Sequence, residues 1–326
     1  MQNIPIWGGG IEYKLYVLHD NITQDQQASL QKTIESFSNC SLEFINTKGL
    51  FSDIWESLTS KHHFSKEIFY KFIPSRFFPQ YDKIIITDVD VVFLGDVSES
   101  FLDFDANTSS YLAGIKLNNP DQFYPLIGWK EGYKKFSKIE FEAIQNGIGA
   151  GYFIANLKAM RKNNIEQKFI DYATSNIHKL ILPEQDVLNI ICYPHIHTLS
   201  LKHMIANYTW KVCGEKWEKL SPCVYTQKQI DEARLQPIQI HYAGHKKPWF
   251  YTDEPKSDLW FFYLAQTPFL QEHLNRLPCT IIALHKKTLL LYRIKSYLQK
   301  NPLFLFQASF YLRFYKKIKQ ILRFNS

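Results

Sequence analysis

Residues 83–97 of this 326-residue chain read KIIITDVDVVFLGDV, and this stretch decides the expected fold. Its first five residues are rich in β-branched side chains and follow the turn-forming PQYD, so they predict a strand. Side chains alternate between the faces of a strand, so Asp88 and Asp90 project to one side if the extended backbone continues through them. Two carboxylates at the carboxyl end of a strand in an α/β sheet favour a Mg²⁺ or Mn²⁺ site that binds a diphosphate.

A second stretch, HYAGHKKPW at 241–249, follows the apolar run PIQI at 237–240, which predicts another strand. His241 brings an imidazole that complements two carboxylates as a ligand for Mn²⁺. Gly244 permits close backbone approach, and Lys247 offers a point charge to phosphate oxygens. Together with the aspartates, this pattern predicts a metal-diphosphate site.

The Asp-x-Asp strand and the downstream H-x-x-G-x-x-K-P-W motif resemble glycosyltransferase family 8. The resemblance covers roughly residues 13–273 and includes three further stretches in the family's order, FYKFIPSRFFPQYDKIIITDVD, GAGYFIANLKAMRK and EQDVLN. It implies an α/β GT-A (Rossmann-like) fold, with a mixed sheet flanked by helices. It also implies a UDP-sugar donor, usually UDP-glucose or UDP-galactose, a Mn²⁺ (or Mg²⁺) ion, and retention of the anomeric configuration.

The resemblance assigns site residues one by one. Asp88, Asp90 and His241 match the family's metal ligands, and Gln185 matches the glutamine on the β face of the donor sugar. A neutral amide is a poor nucleophile, so the resemblance favours a front-face reaction in which a phosphate oxygen takes the acceptor's proton. The residues that match donor-binding positions are His63, Lys71, Asp88, Glu184, Gly244 and Lys247.

Three positions depart from the family pattern. Lys71 replaces an arginine, which keeps the charge but loses the bidentate fork. Gly149 stands where the family commonly has asparagine, so a side-chain contact to the donor is missing. Glu184 replaces the more usual aspartate and is one methylene longer. The identity of the donor sugar therefore does not transfer from the resemblance.

The amino end of the chain departs most from the family pattern. The first recognisable strand, YKLYVLHD at 13–20, resembles the family's second strand, and the first nucleotide-binding strand is not apparent. A truncated or misassigned start, another mode of nucleotide binding, or loss of activity would each account for this. A parallel sheet without its early strand is expected to leave an unpaired edge and an uncovered apolar face.

The excess positive charge of the chain is concentrated at its carboxyl end. Of 38 Lys and Arg, eleven lie in residues 273–326, which contain no Asp or Glu, so the first 272 residues hold 27 basic and 31 acidic residues. Leu, Phe and Tyr alternate with the basic residues and predict two amphipathic helices, about 284–300 and 303–324, that lie on an anionic membrane surface. Helices packed on the core with a solvated basic face are the alternative. The longest uncharged run is too short to span a bilayer.

The composition indicates the cellular location and the domain division of the chain. Five cysteines without a Cys-x-x-Cys pair predict reduced thiols, and no secretory signal is visible. We therefore expect a GT-A catalytic domain over 1–280 and a basic tail over 281–326, located in the cytoplasm on the inner face of the membrane. A lipid-linked acceptor of the lipopolysaccharide or lipooligosaccharide core fits that location. The acidic core argues against nucleic acid.

Two other functions fit parts of the sequence. IIITDVDVV also resembles the nucleophile strand of haloacid-dehalogenase-type phosphatases, although that family needs a later acidic pair that is not found. A non-catalytic, membrane-bound relative of the glycosyltransferases is the stronger rival. The pattern elsewhere predicts one helix over 158–179, a loop over 119–146 and an irregular segment over 195–235.

Overall fold

The structure is a computed structural model that describes residues 10–58, 64–119, 133–300 and 315. The chain divides into two compact units, Met1–Phe269 and Leu270–Ser326. The described residues of the first unit contain nine strands: β1 Tyr13–His19, β2 Cys40–Asn46, β3 Lys83–Thr87, β4 Val91–Phe93, β5 Leu112–Lys116, β6 Ile148–Asn156, β7 Ile196–Thr198, β8 Ile205–Ala206 and β9 Gln239–His241.

Helices connect these strands. In the first unit they are α1 Gln24–Ile34, α2 Ser52–Ser57, α3 Pro74–Phe77, α4 Ser98–Asp103, α5 Lys138–Gln145, α6 Leu157–Lys162, α7 Ile165–Asn176, α8 Pro183–Cys192, α9 Thr209–Cys213, α10 Gln227–Leu235 and α11 Ser257–Leu264, with 3-10 turns at Lys66–Phe72 and Leu201–His203. In the second unit they are α12 Leu270–Thr288 and α13 Leu290–Lys300.

The strands form three sheets. β1 and β2 pair in parallel, while a four-stranded mixed sheet has the order β3-β6-β5-β7. In that sheet β6 is antiparallel to both β3 and β5, and β5 is parallel to β7. A third sheet has the order β4-β9-β8, with β4 antiparallel and β8 parallel to β9. The predicted mixed α/β architecture is confirmed.

The four-stranded sheet carries a hydrophobic cluster on each face. Successive residues of β6 alternate between them: Phe153 and Ala155 join one cluster, and Tyr152 and Ile154 join the other. All four side chains are fully buried. Helices α6 to α8 cover the first face, and the second face is covered by Trp210, Trp217, Tyr225 and Ile230. Burial on both faces anchors β6, the strand that pairs with β3 directly before the two aspartates.

Among the described residues, β1 pairs only with β2, and β3 pairs only with β6. Both strands nevertheless contribute to both layers. Tyr16 and Ile84 pack against the first cluster, while Tyr13 and Ile85 pack against the second. A cleft lies between them, and each of the two strands presents an edge of backbone groups to it.

Three details of the first unit differ from the sequence prediction. The segment expected to be irregular over 195–235 contains β7, β8, α9, α10 and a 3-10 turn. The single helix expected over 158–179 is two helices, α6 and α7, because Asn164 takes the left-handed conformation at φ 51°. The expected loop over 119–146 contains α5, whose amino end is closed by a reciprocal pair of hydrogen bonds between Ser137 and Glu140. The segment 120–132 lies outside the described residues.

The second unit is helical where it is described. Its helices α12 and α13 meet at Leu289, within the helix predicted over 284–300. The helix predicted over 303–324 lies outside the described residues except for Tyr315. Of the described helices, none combines the length and the apolar character that crossing a membrane requires.

Candidate active site

Asp88 and Asp90 lie between β3 and β4 rather than inside one continuous strand, since β3 ends at Thr87. Neighbouring strands hold each residue by its backbone. The N–H of Asp88 donates to the carbonyl of Gly151 on β6 at 3.1 Å, and the N–H of Tyr242 donates to the carbonyl of Asp90 at 2.9 Å. The two carboxylates therefore reach the same point although the extended conformation does not continue through them.

The point they reach is His241, at the end of β9. Its Nε2 atom lies 3.5 Å from Oδ2 of Asp88 and 3.3 Å from Oδ1 of Asp90. One ligand atom from each of the three residues falls within 4.8 Å of the other two. Two carboxylate oxygens and one imidazole nitrogen are a suitable donor set for Mn²⁺ or Mg²⁺. The structure thus brings the three predicted metal ligands together.

The position of His241 depends on a glycine. A Cβ atom on Gly151 would lie 2.5 Å from Nδ1 of His241 and 2.9 Å from the sulfur of Met204. A Cβ atom on Gly149 would lie 2.4 Å from the methyl carbon of Met204. The imidazole and the thioether thus pack directly on the bare backbone of β6.

Lys247 lies on the other side of Asp90. Its ammonium contacts a carboxylate oxygen of Asp90 and donates to the carbonyl of Tyr242 at 2.7 Å. Burial favours the protonated form of Asp90, but His241 and Lys247 outweigh it and hold the pKa of this carboxyl well below its ordinary value. Asp90 is therefore ionised. The turn before Lys247 needs glycine, because Gly244 has φ +83°.

Lys71 is a buried cation beneath Asp88. Its Nζ atom lies 2.5 Å from Oδ1 of Asp88, 3.3 Å from Oε1 of Glu184 and 3.1 Å from the carbonyl of Ala150. Burial disfavours the charged ammonium, but the two carboxylates outweigh that effect and raise the pKa of Lys71. Lys71 therefore stays protonated and places a positive charge next to the proposed metal ligands.

Glu184 and Gln185 begin helix α8, directly after Pro183. Burial raises the pKa of Glu184, although Lys71 opposes the shift, and its second oxygen has no hydrogen-bond partner among the described residues. The carbonyl oxygen of Gln185 accepts a hydrogen bond from the N–H of Ala150 at 3.0 Å. Since an amide oxygen has two lone pairs, one acceptor site of Gln185 remains.

Most of the predicted site residues line a single cleft. It has a volume of about 2930 Å³ and extends from the aspartates to the region between β1 and β3. Ordinary small-molecule pockets are roughly 300–1,000 Å³, so this cleft has room for a large ligand. His63 lies outside the described residues. The predicted residues that the cleft brings together are Lys71, Asp88, Asp90, Glu184, Gln185, His241, Gly244 and Lys247.

Two contributors to the site were not identified from the sequence. Met204 lies in an irregular connection before β8, and nothing in its sequence surroundings indicates that its thioether packs beside a metal-ligand candidate. Gly151 belongs to the quoted stretch GAGYFIANL, but its role depends on a histidine 90 positions later in the chain. Trp249 packs against Trp260 at a ring separation of 5.6 Å.

Comparison with known proteins places this site in a family. The family model of glycosyl transferase family 8 matches residues 2–253. General stress protein A of Bacillus subtilis (strain 168) is 25% identical over 261 residues, which is 78% of this chain and 83% of that protein. A lipopolysaccharide 1,2-glucosyltransferase of Escherichia coli is 24% identical over 202 residues, covering 61% of this chain and 54% of that protein.

The solved structures agree on the fold. The galactosyltransferase LgtC, in complex with donor and acceptor sugar analogues, superposes with a TM-score of 0.60 at 15% sequence identity. That match covers 79% of this chain and 87% of LgtC, and it agrees with the predicted GT-A fold. The match to the family model extends over most of the sequence and includes both aspartates and His241. On this evidence the chain belongs to glycosyltransferase family 8.

Proposed function

We propose that the protein is a metal-dependent, retaining hexosyltransferase. Its donor is UDP-glucose or UDP-galactose, and its acceptor is a saccharide of the lipopolysaccharide or lipooligosaccharide core. The grouping of Asp88, Asp90 and His241 between Lys71 and Lys247 carries this proposal. Three side chains that can bind a metal ion lie at one point, between the two lysines. The ion and the lysines together would balance the negative charge of a diphosphate.

The donor set fits a divalent cation. Its carboxylates are hard oxygen ligands, and the imidazole favours Mn²⁺ over Ca²⁺. When bound, such an ion would offset the negative charge of the donor diphosphate and of the departing UDP. The three side chains are partly buried, so water screens their charges less than at an open surface.

Lys247 and Lys71 have different parts in this proposal. Lys247 is held by one carboxylate and one carbonyl, and its ammonium has a third hydrogen for a phosphate oxygen. It would stabilise the charge that develops on UDP as the bond to the sugar breaks. Lys71 is enclosed by Asp88, Glu184 and a carbonyl, so its part is to hold these two carboxylates in place.

The chemistry of Gln185 supports front-face transfer. The bond from the anomeric carbon to the UDP oxygen breaks, the acceptor oxygen bonds to the same face, and its proton goes to the leaving phosphate oxygen. Gln185 contributes no nucleophile, because its neutral amide already accepts from Ala150. Its remaining carbonyl lone pair would support the positive charge that develops on the sugar.

The acceptor and its location rest on other observations. The E. coli relative is named as a lipopolysaccharide glucosyltransferase, which supports a saccharide acceptor of that class. Exposed Arg293 and Lys295 on α13 alternate with apolar residues, as in a helix at a membrane surface. We propose that this tail holds the protein at the anionic inner face of the cytoplasmic membrane, where a lipid-linked acceptor would be found.

One observation favours a second candidate. The facing edges of β1 and β3 are unpaired among the described residues, at the place where the nucleotide end of a donor is expected. A chain that cannot close this gap would be a non-catalytic relative that binds a membrane without transferring sugar.

Radiolabelled donors distinguish the two candidates. The purified chain is incubated with Mn²⁺ and labelled UDP-glucose, UDP-galactose or their N-acetylated forms, and release of the sugar is followed. Donor hydrolysis that disappears in Asp90→Asn supports the transferase, and lipooligosaccharide acceptors should then accelerate it. A folded chain that leaves every donor intact supports the non-catalytic relative.

A further inference from the structure

A pair of lysines joined through one buried carboxylate lies on the rim of the cleft. Nζ of Lys211 lies 3.7 Å, and Nζ of Lys246 3.3 Å, from the same oxygen of Glu254. The Glu254 side chain is only 6% exposed, while those of Lys211 and Lys246 are 60% and 44% exposed. All three residues line the cleft that contains the proposed metal ligands.

Glu254 neutralises one of these two charges and leaves the other. It also holds two long side chains near one point, which lowers the entropic cost of ordering them when a ligand binds. Lys256 lies close by, with its ammonium 4.7 Å from the ring centre of Trp210 on the same short helix as Lys211. The rim is therefore positive, partly ordered and open to solvent.

Both lysines belong to segments that are fixed to the metal-ligand cluster. Lys246 is adjacent in the chain to Lys247, which contacts Asp90. Lys211 follows the buried Asn207 by four residues, and the N–H of Asn207 donates to the carbonyl of His241 at 2.9 Å. At most about 14 Å therefore separates the Cα atoms of Lys211 and Asn207.

The sheet order separates Lys211 from the strand that follows Asp90. In the order β4-β9-β8, Asp90 precedes β4, His241 ends β9, and β8 leads into the helix that carries Lys211. The gap between β1 and β3 adjoins Asp88 instead. Asp90 and Lys211 therefore adjoin strands on opposite sides of β9, and Lys246 follows β9 itself in the chain.

Exposed apolar groups accompany the charge. Tyr208 and Val212 lie close to Lys211 in the chain, line the cleft and are 41% and 58% exposed. An aromatic ring and an aliphatic group beside a cation suit a sugar ring that carries a negative substituent. The diphosphate of the donor does not require Lys211 and Lys246, since Lys247 and the proposed metal ligands already supply its binding site.

We propose that Lys211 and Lys246 bind an anionic group, a phosphate or a carboxylate, on the saccharide acceptor. The inference deepens the proposed function, because it names the acceptor's chemical class and rests on the cleft being a transferase site. Anion recognition itself needs neither the metal nor the donor.

Binding to the full-length, metal-free protein tests the proposal directly. Titration calorimetry compares galactose 6-phosphate, galacturonate, galactose and inorganic phosphate on the wild type and on the double variant Lys211→Gln/Lys246→Gln. The wild type should bind at least one of the two anionic sugars about tenfold more tightly than galactose or inorganic phosphate. Whichever anion is preferred identifies the acceptor's charged group.

The double variant should lose that preference. The matched control Lys228→Gln removes a cation that is 85% exposed on α10 and should keep the preference. The proposal is overturned if the double variant retains the preference, if wild type binds anionic and neutral sugars equally, or if inorganic phosphate binds as tightly as the preferred anionic sugar.

Donor binding is measured on the same proteins. With Mn²⁺ present, UDP should bind the double variant within about twofold of wild type, and a larger loss would assign the lysines to the donor and overturn the proposal. If wild type does not bind UDP at all, the proposed function fails, while the comparison of metal-free sugar binding still decides whether the lysine pair recognises anions.

Discussion

Nζ of Lys71 lies 2.5 Å from Oδ1 of Asp88, so the first aspartate of the Asp-x-Asp motif is paired with a buried lysine 17 positions earlier in the chain. The same ammonium lies 3.3 Å from Glu184. A single positive charge thus joins the strand that carries the motif to the helix that carries Gln185. Removing it would leave two carboxylates facing each other in a buried site.

Lys71→Met should lower the free energy of unfolding by about 3–5 kcal/mol, because it leaves buried charges without a partner. Urea denaturation at neutral pH measures the loss. Adding Glu184→Gln to this variant should restore part of the stability, since only Asp88 would then remain uncompensated. The matched control is Lys179→Met, whose lysine pairs with Glu140 at 2.6 Å, away from the cleft. Equal losses in both single variants would contradict this account of the lysine.

Gly151→Ala should weaken Mn²⁺ binding by about tenfold or more, because the new methyl group must displace the His241 ring from the two carboxylates. Gly149→Ala is the control on the same strand. Its methyl group meets only the flexible end of Met204, which can move aside at small cost. Titration of Mn²⁺ into each variant decides the matter, and similar affinities for both variants would show that packing on Gly151 does not hold the imidazole.

Asp186 should make the protein less stable as the pH rises. Burial raises the pKa of this carboxyl from an ordinary 3.8 to about 7, against hydrogen bonds from the N–H groups of Ile181 and Leu182. Between those values the folded state holds a proton that the unfolded state has lost. The stability contribution therefore falls as the pH rises from about 4 to 7 and is constant above that range.

Asp186→Asn removes this proton and keeps an oxygen for both N–H groups. The free energy of unfolding of wild type, relative to this variant, should therefore be lower at pH 8 than at pH 5, as measured by urea denaturation at both values. The control is Asp171→Asn, at an exposed carboxylate that accepts from Gln167. A constant difference between wild type and Asp186→Asn would mean that Asp186 ionises normally.

Arg293→Glu/Lys295→Glu should weaken sedimentation with vesicles of phosphatidylglycerol and phosphatidylcholine by at least about tenfold, since each basic residue near an anionic surface contributes on the order of 1 kcal/mol. Both side chains are exposed on α13. Lys168→Glu/Lys228→Glu, an equal change of charge on the first unit, is the control. Sedimentation that both pairs of substitutions reduce equally would assign membrane binding to net charge rather than to the tail.

Local patterns were sufficient to predict the strand before Asp88 and the motif at His241. β-branched residues bounded by a turn gave the strand its limits, Lys83–Thr87, and the structure has the same limits. The capping box formed by Ser137 and Glu140 was also present in the sequence, although it was not recognised as the start of α5. Signals of this kind act over a few residues, so they can be found without knowing the fold.

Long-range contacts could not be predicted in this way. The pairing of Lys71 with Asp88 depends on where the 3-10 turn packs, and the approach of Met204 to Gly149 depends on a connection without regular periodicity. The break between α6 and α7 depends on Asn164 adopting a left-handed conformation, which asparagine tolerates but does not require. In each case the tertiary structure selects one of several locally acceptable arrangements.

The most direct test of the central claim is calorimetric titration of UDP into the full-length chain and into Asp90→Asn, each with and without Mn²⁺. The account predicts binding to wild type that requires Mn²⁺ and is lost in Asp90→Asn, while Asp82→Asn, at an exposed carboxylate before β3, binds as wild type does. UDP binding to wild type that is equally strong without metal, or undiminished in Asp90→Asn, would contradict the claim that these residues form a metal-diphosphate site.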